Sequence, residues 1–432
     1  MPLVTRRVPL HWRSKLIHPR AHAPPGFRSL TTPTYRGSTV LFERQAEVTD
    51  DWRQTEIGYT YGLYGTPTVL ELAARIAEIE GAAHTFIVPG GQAAIALIYL
   101  AFCKAGSHAL VPMNAYGPNR EMARGLLAGL GIRVETYDPR IGAGISRLIH
   151  DETALVWTES PGSITMEIQD VPAVAAAARA RGVPVALDNT YSAGVMFDAF
   201  AHGVDVSMQA LTKYVGGHSD LLLGSVSIAP PASATAAGAA SPSAAAATAT
   251  ATEATATATA AATATATADA TLYRRIGSAY KQLGMAVSPD DCSLALRGLL
   301  TLGVRLERLE SSTLAVAQWL ARRPEIESVR HPALPSCPGH DLWRRDFTGS
   351  SSVFSVLFRP EFRAHVRAFA DGLELFKVGF SWGGVTSLVM TYPELDRGGE
   401  SLSGRVVRFN IGLEEPEDLI ADLAASLEAL KT

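Results

Sequence analysis

The chain has 432 residues, 47% hydrophobic and 19% charged, with a net charge of −4. That is the composition of a globular protein large enough for two domains, and it gives no reason to expect nucleic acid or an acidic membrane as partner. No apolar run reaches transmembrane length, and Cys103, Cys292 and Cys337 stand far apart without CxxC spacing, which points to reduced thiols in the cytoplasm.

Residues 1–66 show little periodicity and many Pro, Gly and aromatic residues. Their basic start, with no acid before Glu43, invites a transit peptide. Pro24-Pro25-Gly26 and the extended stretch after it favour an arm that packs on something else. From Val69, apolar residues at Leu70, Leu72, Ile76 and Ile79 share one helical face, with Thr66 or Thr68 as cap and Gly81 as stop. Strands are then expected at 84–88, 108–111, 132–137, 154–159, 183–187, 204–211 and 221–228. Helices are expected at 92–104, 120–130 and 173–181. This alternation predicts an α/β domain over 67–290 with a mainly parallel sheet. Residues 230–270, almost entirely Ala and Thr, read as a low-complexity insertion with no large apolar face to bury. Beyond it a long helix at 291–320 leads to strands at 326–329, 353–358, 386–390 and 406–411. Helices at 362–369 and 416–430 complete a smaller α+β domain over 291–432.

The chemistry-bearing residues fall at strand ends. Lys213 follows the apolar run 204–211, and a desolvated lysine amine can condense with an aldehyde. Asp188 closes another strand, where ligands of open α/β sheets bind. A carboxylate on a pyridine nitrogen and a lysine on an aldehyde would be two fixed ends of one ring. Pro89-Gly90-Gly91-Gln92 joins strand to helix and suits either an anion or a plain turn. Tyr116, past a third strand, can stack on a flat ring or pack in the core. In the second domain Ser381-Trp382-Gly383-Gly384 forms a turn. Arg408 inside a strand needs an anion, whether a substrate carboxylate or a structural partner. His218, Ser219 and Asp220 are consecutive and cannot form a nucleophilic triad. His331, Cys337 and His340 lack ligand spacing, Glu152 and Glu159 show no paired-carboxylate logic, and no metal is expected.

Together these stretches resemble the Cys/Met-metabolism family of pyridoxal-phosphate-dependent enzymes, from about Ser14 to the C-terminus apart from the insertion. The resemblance is carried by Glu159-Ser160-Pro161-Gly162-Ser163-Ile164-Thr165-Met166-Glu167, Asp188-Asn189-Thr190, Thr212-Lys213-Tyr214 and Gly217-His218-Ser219-Asp220. It implies a fold-type I transferase-like architecture, pyridoxal 5′-phosphate as cofactor and an amino-acid substrate. Lys213 would carry the cofactor and act in catalysis, Asp188 would pair with its ring nitrogen, and Tyr116 would stack on it. Gly91, Gln92 and Thr212 would hold the phosphate. Arg408 and Ser381, with Trp382 beside them, would hold the substrate. Tyr61 would reach a neighbouring subunit's site, in a homodimer or homotetramer.

Two positions depart from the family pattern. Leu63 replaces a phosphate-binding arginine and Ala210 a serine, so phosphate holding would rest more on backbone amides. Phe380 and Trp382 flank Ser381 where γ-enzymes often carry an acid and a leucine. That favours β-cleavage of L-cystathionine or related cysteine S-conjugates to a thiol, pyruvate and ammonia. The alternatives are a γ-lyase or γ-synthase, or a weakly catalytic binding homologue.

Overall fold

The computed structural model describes residues 11–17, 29–55, 58–231, 271–397 and 400–430. Insertion residues 232–270 lie outside that range. Within the arm, helix α1 (Trp12–Ile17) buries Leu16 in the protein's own core, and Arg75 donates to the Leu16 carbonyl. Part of the arm is therefore tied to its own chain. Helix α2 (Pro67–Glu80) starts after Thr66, whose side chain makes no cap bond, and ends at Gly81 in the left-handed conformation.

The alternating units follow: β1 (His84–Val88), α3 (Gly91–Phe102), β2 (His108–Pro112), α4 (Gly117–Met122), β3 (Arg133–Tyr137) and β4 (Thr153–Glu159). Then come α5 (Val171–Arg179), β5 (Val185–Asp188), β6 (Val206–Gln209) and β7 (Gly224–Ile228). Helix α4 begins earlier than the expected 120, because Pro118 in its first turn fits a helix start, and it runs on into a wider π-type turn at Ala123–Leu127. The sheet order is β1-β7-β6-β5-β4-β2-β3. All pairs are parallel except those of β7, which runs against both β1 and β6. Both faces of this sheet are covered, so its inner strands are buried throughout rather than alternating. On one face Ile95, Ile98 and Phe102 of α3 pack on Val111, Trp157 and Val206. On the other, Leu72 and Ile76 of α2 join Leu211 and Tyr214.

Helix α6 (271–283) resumes the chain after the insertion and leads into α7 (Pro289–Leu320). At 32 residues, α7 is about 48 Å long. Cys292, Leu299 and Leu306 belong to the first core, while Val316 and Leu320 belong to the second. One rigid rod thus fixes the two sheets relative to each other. The second sheet takes β8 (Ile326–Arg330) and β9 (Val353–Phe358), with helices α8 (His340–Asp346) and α9 (Val366–Asp371) between and after them. Then follow β10 (Lys377–Val378), β11 (Leu388–Tyr392), the small pair β12 (Asp396–Arg397) and β13 (Glu400–Ser401), β14 (Val406–Asn410) and α10 (Pro416–Ala429). Its order is β10-β11-β14-β9-β8, antiparallel except for β10 with β11. The helix expected at 362–369 is a 3₁₀ turn followed by short α9. The strand expected at 386–390 is displaced to Leu388–Tyr392.

Helix α7 crosses beneath the Lys213 loop at Gly298, where a Cβ would stand 2.1 Å from the Val215 carbonyl oxygen. Alanine there would gain about 0.5–1 kcal/mol of helix propensity but lose about 1–3 kcal/mol to overpacking. Gly298→Ala should therefore lower the urea midpoint of the holoenzyme. An unchanged or higher midpoint would mean that the contact yields freely.

Candidate active site

Lys213 lies in a tight turn rather than at a strand end, because β6 stops at Gln209. Leu211 is fully buried, and the turn closes through Lys213 N to Ala210 O (3.0 Å) and Gly216 N to Leu211 O (2.8 Å). Beneath it the buried Arg305 of α7 donates to the carbonyls of Tyr214 (2.7 Å) and Gly298 (2.8 Å). The Lys213 ammonium donates to Ser381 Oγ at 2.8 Å and stands 5.6 Å from the centre of the Trp382 ring. Burial and then the nearby Arg408 cation lower its pKa to about 8, against the opposing pull of Asp188.

Asp188 ends β5 with its carboxylate at the cleft. Its Oδ1 accepts from Thr190 N (3.0 Å) and Thr190 Oγ1 (2.5 Å). Thr190 Oγ1 in turn accepts from Ala210 N at 3.0 Å, tying the carboxylate to the lysine turn. Burial pushes the Asp188 carboxyl upward, while the Thr190 donors and Lys213 hold it back. Such a group gains by facing a protonated ring nitrogen.

Tyr116 follows β2, and its amide donates to Glu159 Oε2 at 2.7 Å. Glu159 closes β4 directly opposite Asp188 in register, so it too reaches the cleft. Burial and the Asp188 charge raise the Tyr116 phenol.

Across the cleft, Arg408 and Asn410 occupy alternate positions of β14 and so share a face. The Arg408 guanidinium donates to Ser381 O at 3.3 Å and makes no ion pair with a carboxylate among the described residues. Asn410 Oδ1 accepts from Gly383 N (2.7 Å) and Ser352 Oγ (2.8 Å), and Ser352 pairs with the Tyr214 hydroxyl (2.9 Å). One strand thereby holds both ends of the turn Ser381–Gly383. Ser381 itself adopts φ +93°, a conformation that costs a non-glycine residue about 1–3 kcal/mol.

The fold brings together Lys213, Tyr116, Asp188, Ser381, Trp382 and Arg408. The residues expected at the phosphate end, Gly91, Gln92 and Thr212, lie around the start of α3 and the lysine turn. The Gln92 side chain bonds to Pro118 O, and the Thr212 hydroxyl is shared with the backbone of Leu223. The N-terminus of α3, which includes the Gln92 amide, offers first-turn amides with no intrahelical acceptor. A Cβ at Gly91 would stand 2.8 Å from Ala210 Cβ, so only glycine lets this helix start so close to the lysine turn. An amine, a carboxylate, a stacking ring and an anion-binding helix end fit pyridoxal phosphate. Tyr61, 48% exposed, lies outside the cleft of its own chain, next to the half-buried Leu63. His331, Cys337 and His340 bond separately to nearby backbone groups and do not converge.

Sequence reasoning weighed Glu159 and dismissed it, and gave Thr190, Arg305 and Asn410 no role of their own. The first had a usable signal, since it ends a buried strand at the same pole as Asp188. Arg305, a lone cation among the apolar positions of a long helix, had another.

Residues 13–428 match the family described as Cys/Met metabolism PLP-dependent enzyme. The chain is 40% identical to a putative cystathionine beta-lyase of Rhizobium johnstonii, covering 93% of this chain and 91% of that one. It is 38% identical to the cystathionine beta-lyase MetC of Escherichia coli, over 84% and 85%. Its structure resembles the cystathionine gamma synthase of Xanthomonas oryzae pv. oryzae, solved in complex with aminoacrylate and cysteine. There the TM-score is 0.82 at 26% identity, covering 98% of this chain and 99% of that one. The chain belongs to the Cys/Met metabolism family of pyridoxal-phosphate-dependent enzymes.

Proposed function

We propose that the protein is a carbon–sulfur β-lyase that cleaves L-cystathionine, or related cysteine S-conjugates, to homocysteine or another thiol, pyruvate and ammonia. The observation that carries this reading is Arg408, a half-buried guanidinium in the cleft without a carboxylate partner among the described residues. A substrate α-carboxylate supplies one, and the bidentate fork orients it. The aromatic Phe380 and Trp382 around Ser381 support the β-reaction, as do the two cystathionine beta-lyase relatives named above. Pyridoxal phosphate, when bound, supplies an electron sink for the charge left on Cα after proton removal.

The protein's own groups then have separate tasks. Lys213 is the attachment point and, once freed by the substrate amine, the base that takes the Cα proton. Its lowered pKa of about 8 keeps a useful fraction neutral near physiological pH. Ser381 Oγ and the Trp382 face hold that amine in place. With the cofactor bound, Asp188 would hold the ring nitrogen and Tyr116 would cover the ring. Tyr61 of a second copy completes the cleft in a homodimer or homotetramer, which is consistent with its exposure on its own chain.

Lys213→Ala should reduce pyruvate formation from L-cystathionine by at least about 10²–10⁴-fold and remove the visible band of lysine-linked cofactor. Survival of both would sink the assignment, and 2-oxobutyrate as the keto-acid product of the unaltered enzyme would indicate γ-cleavage instead. Arg408→Gln should lower kcat/KM about 10- to 150-fold, the equivalent of a charged hydrogen bond worth about 1.5–3 kcal/mol. Wild-type kcat/KM in this variant would place the substrate carboxylate elsewhere. The neutral amine is the nucleophile, so cofactor uptake by the apoenzyme should accelerate as pH rises through about 8, the value to which Lys213 is lowered. Stopped-flow absorbance checks this, and a midpoint at the ordinary lysine value would contradict it.

A further inference from the structure

We propose that His108, Glu135 and His150 bind a divalent transition-metal cation of the zinc class, on the side of the large sheet away from the catalytic cleft. His108 opens β2, Glu135 lies within β3, and His150 sits in the turn before β4. One donor atom from each lies within 4.8 Å of the others. Two imidazoles and one carboxylate form a donor set that suits zinc, with a fourth position left for water.

His108 gives the strongest indication. The residue is fully buried, yet its Nε2 has no hydrogen-bond partner among the described residues. Its Nδ1 is already engaged with Thr153 Oγ1 at 2.9 Å. Nε2 stands 3.4 Å from Glu135 Oε2. That is long for a hydrogen bond, but it matches the edge of a tetrahedron with bonds of about 2.0–2.2 Å, which is about 3.3–3.5 Å.

His150 is set up in the same sense. Its Nδ1 pairs with Glu152 Oε2 at 2.7 Å, and its Nε2 faces Arg133 Nη2 at 2.9 Å. A guanidinium can only donate, so Nε2 presents a lone pair and Nδ1 carries the proton. A carboxylate on the far nitrogen is the usual way a metal-binding imidazole is oriented. The two rings stack at 4.2 Å with 20° between planes. The His150 side chain is 38% exposed, so its ring has room to turn toward His108, from whose donor atom it is separated by no more than 4.8 Å. Arg133 is the competitor that the cation displaces, and its own side chain is exposed and free to swing into solvent.

The test is calorimetric titration of ZnCl2 into untagged holoenzyme near neutral pH. One saturable site per chain is expected. His150→Ala and Glu135→Gln should each weaken it by at least about tenfold, whereas Arg133→Ala should tighten it by removing the competing cation. The absence of saturable binding in the unaltered protein, or binding that both ligand variants leave intact, would overturn the proposal. Should His150→Ala fail to fold, Glu135→Gln on its half-exposed strand position carries the same test alone.

Discussion

The cleft depends on a buried cation that has no carboxylate partner among the described residues. Arg305 gives its donors to the carbonyls of Tyr214 and Gly298, and so welds the lysine turn to the long helix. Burial lowers its pKa to about 10, a sign of how little water reaches it. A guanidinium so placed is tolerable only because fixed carbonyl dipoles replace its hydration. Helix α7 also runs into the second core, so the same weld sets the distance between Lys213 and the strand that bears Arg408.

From that frame the chemistry follows by short links. Thr190 joins Asp188 to the amide of Ala210, and Ser352 joins Tyr214 to Asn410. Each side of the cofactor pocket is thus bonded to the lysine turn by one intermediary. Position is held by hydrogen bonds among buried groups, which lose much when a single partner is removed.

The sheet, its parallel character and most elements were legible because apolar runs and glycine stops report local structure directly. Lys213, Asp188 and Arg408 stood out because charged groups in apolar strands or next to them need a reason to be there. The missing parts were of two kinds. Ser352 and Asn410 are polar residues whose partners lie far away in sequence, and Thr190 matters because it joins the neighbouring Asp188 to the distant Ala210, which no local pattern carries. The second kind is the set of backbone-directed bonds of Gln92 to Pro118 and Thr212 to Leu223, which depend on how loops meet in the fold. His108, Glu135 and His150 escaped for the same reason as the first kind, since three separate elements supply them.

The reversed strand β7 has a topological consequence. Running against its neighbours, it carries the chain from the lysine turn back to the far pole, where Ile228 pairs with His84 and Val206 at their strands' beginnings. The described chain therefore ends before the insertion at the pole where β1 and β6 begin, opposite the end of β5 that carries Asp188. Closing a longer loop costs only about 0.6 kcal/mol per doubling of its length. Extra chain leaving from this point therefore costs little in loop closure, and its point of departure is set by β7 rather than by the lysine turn.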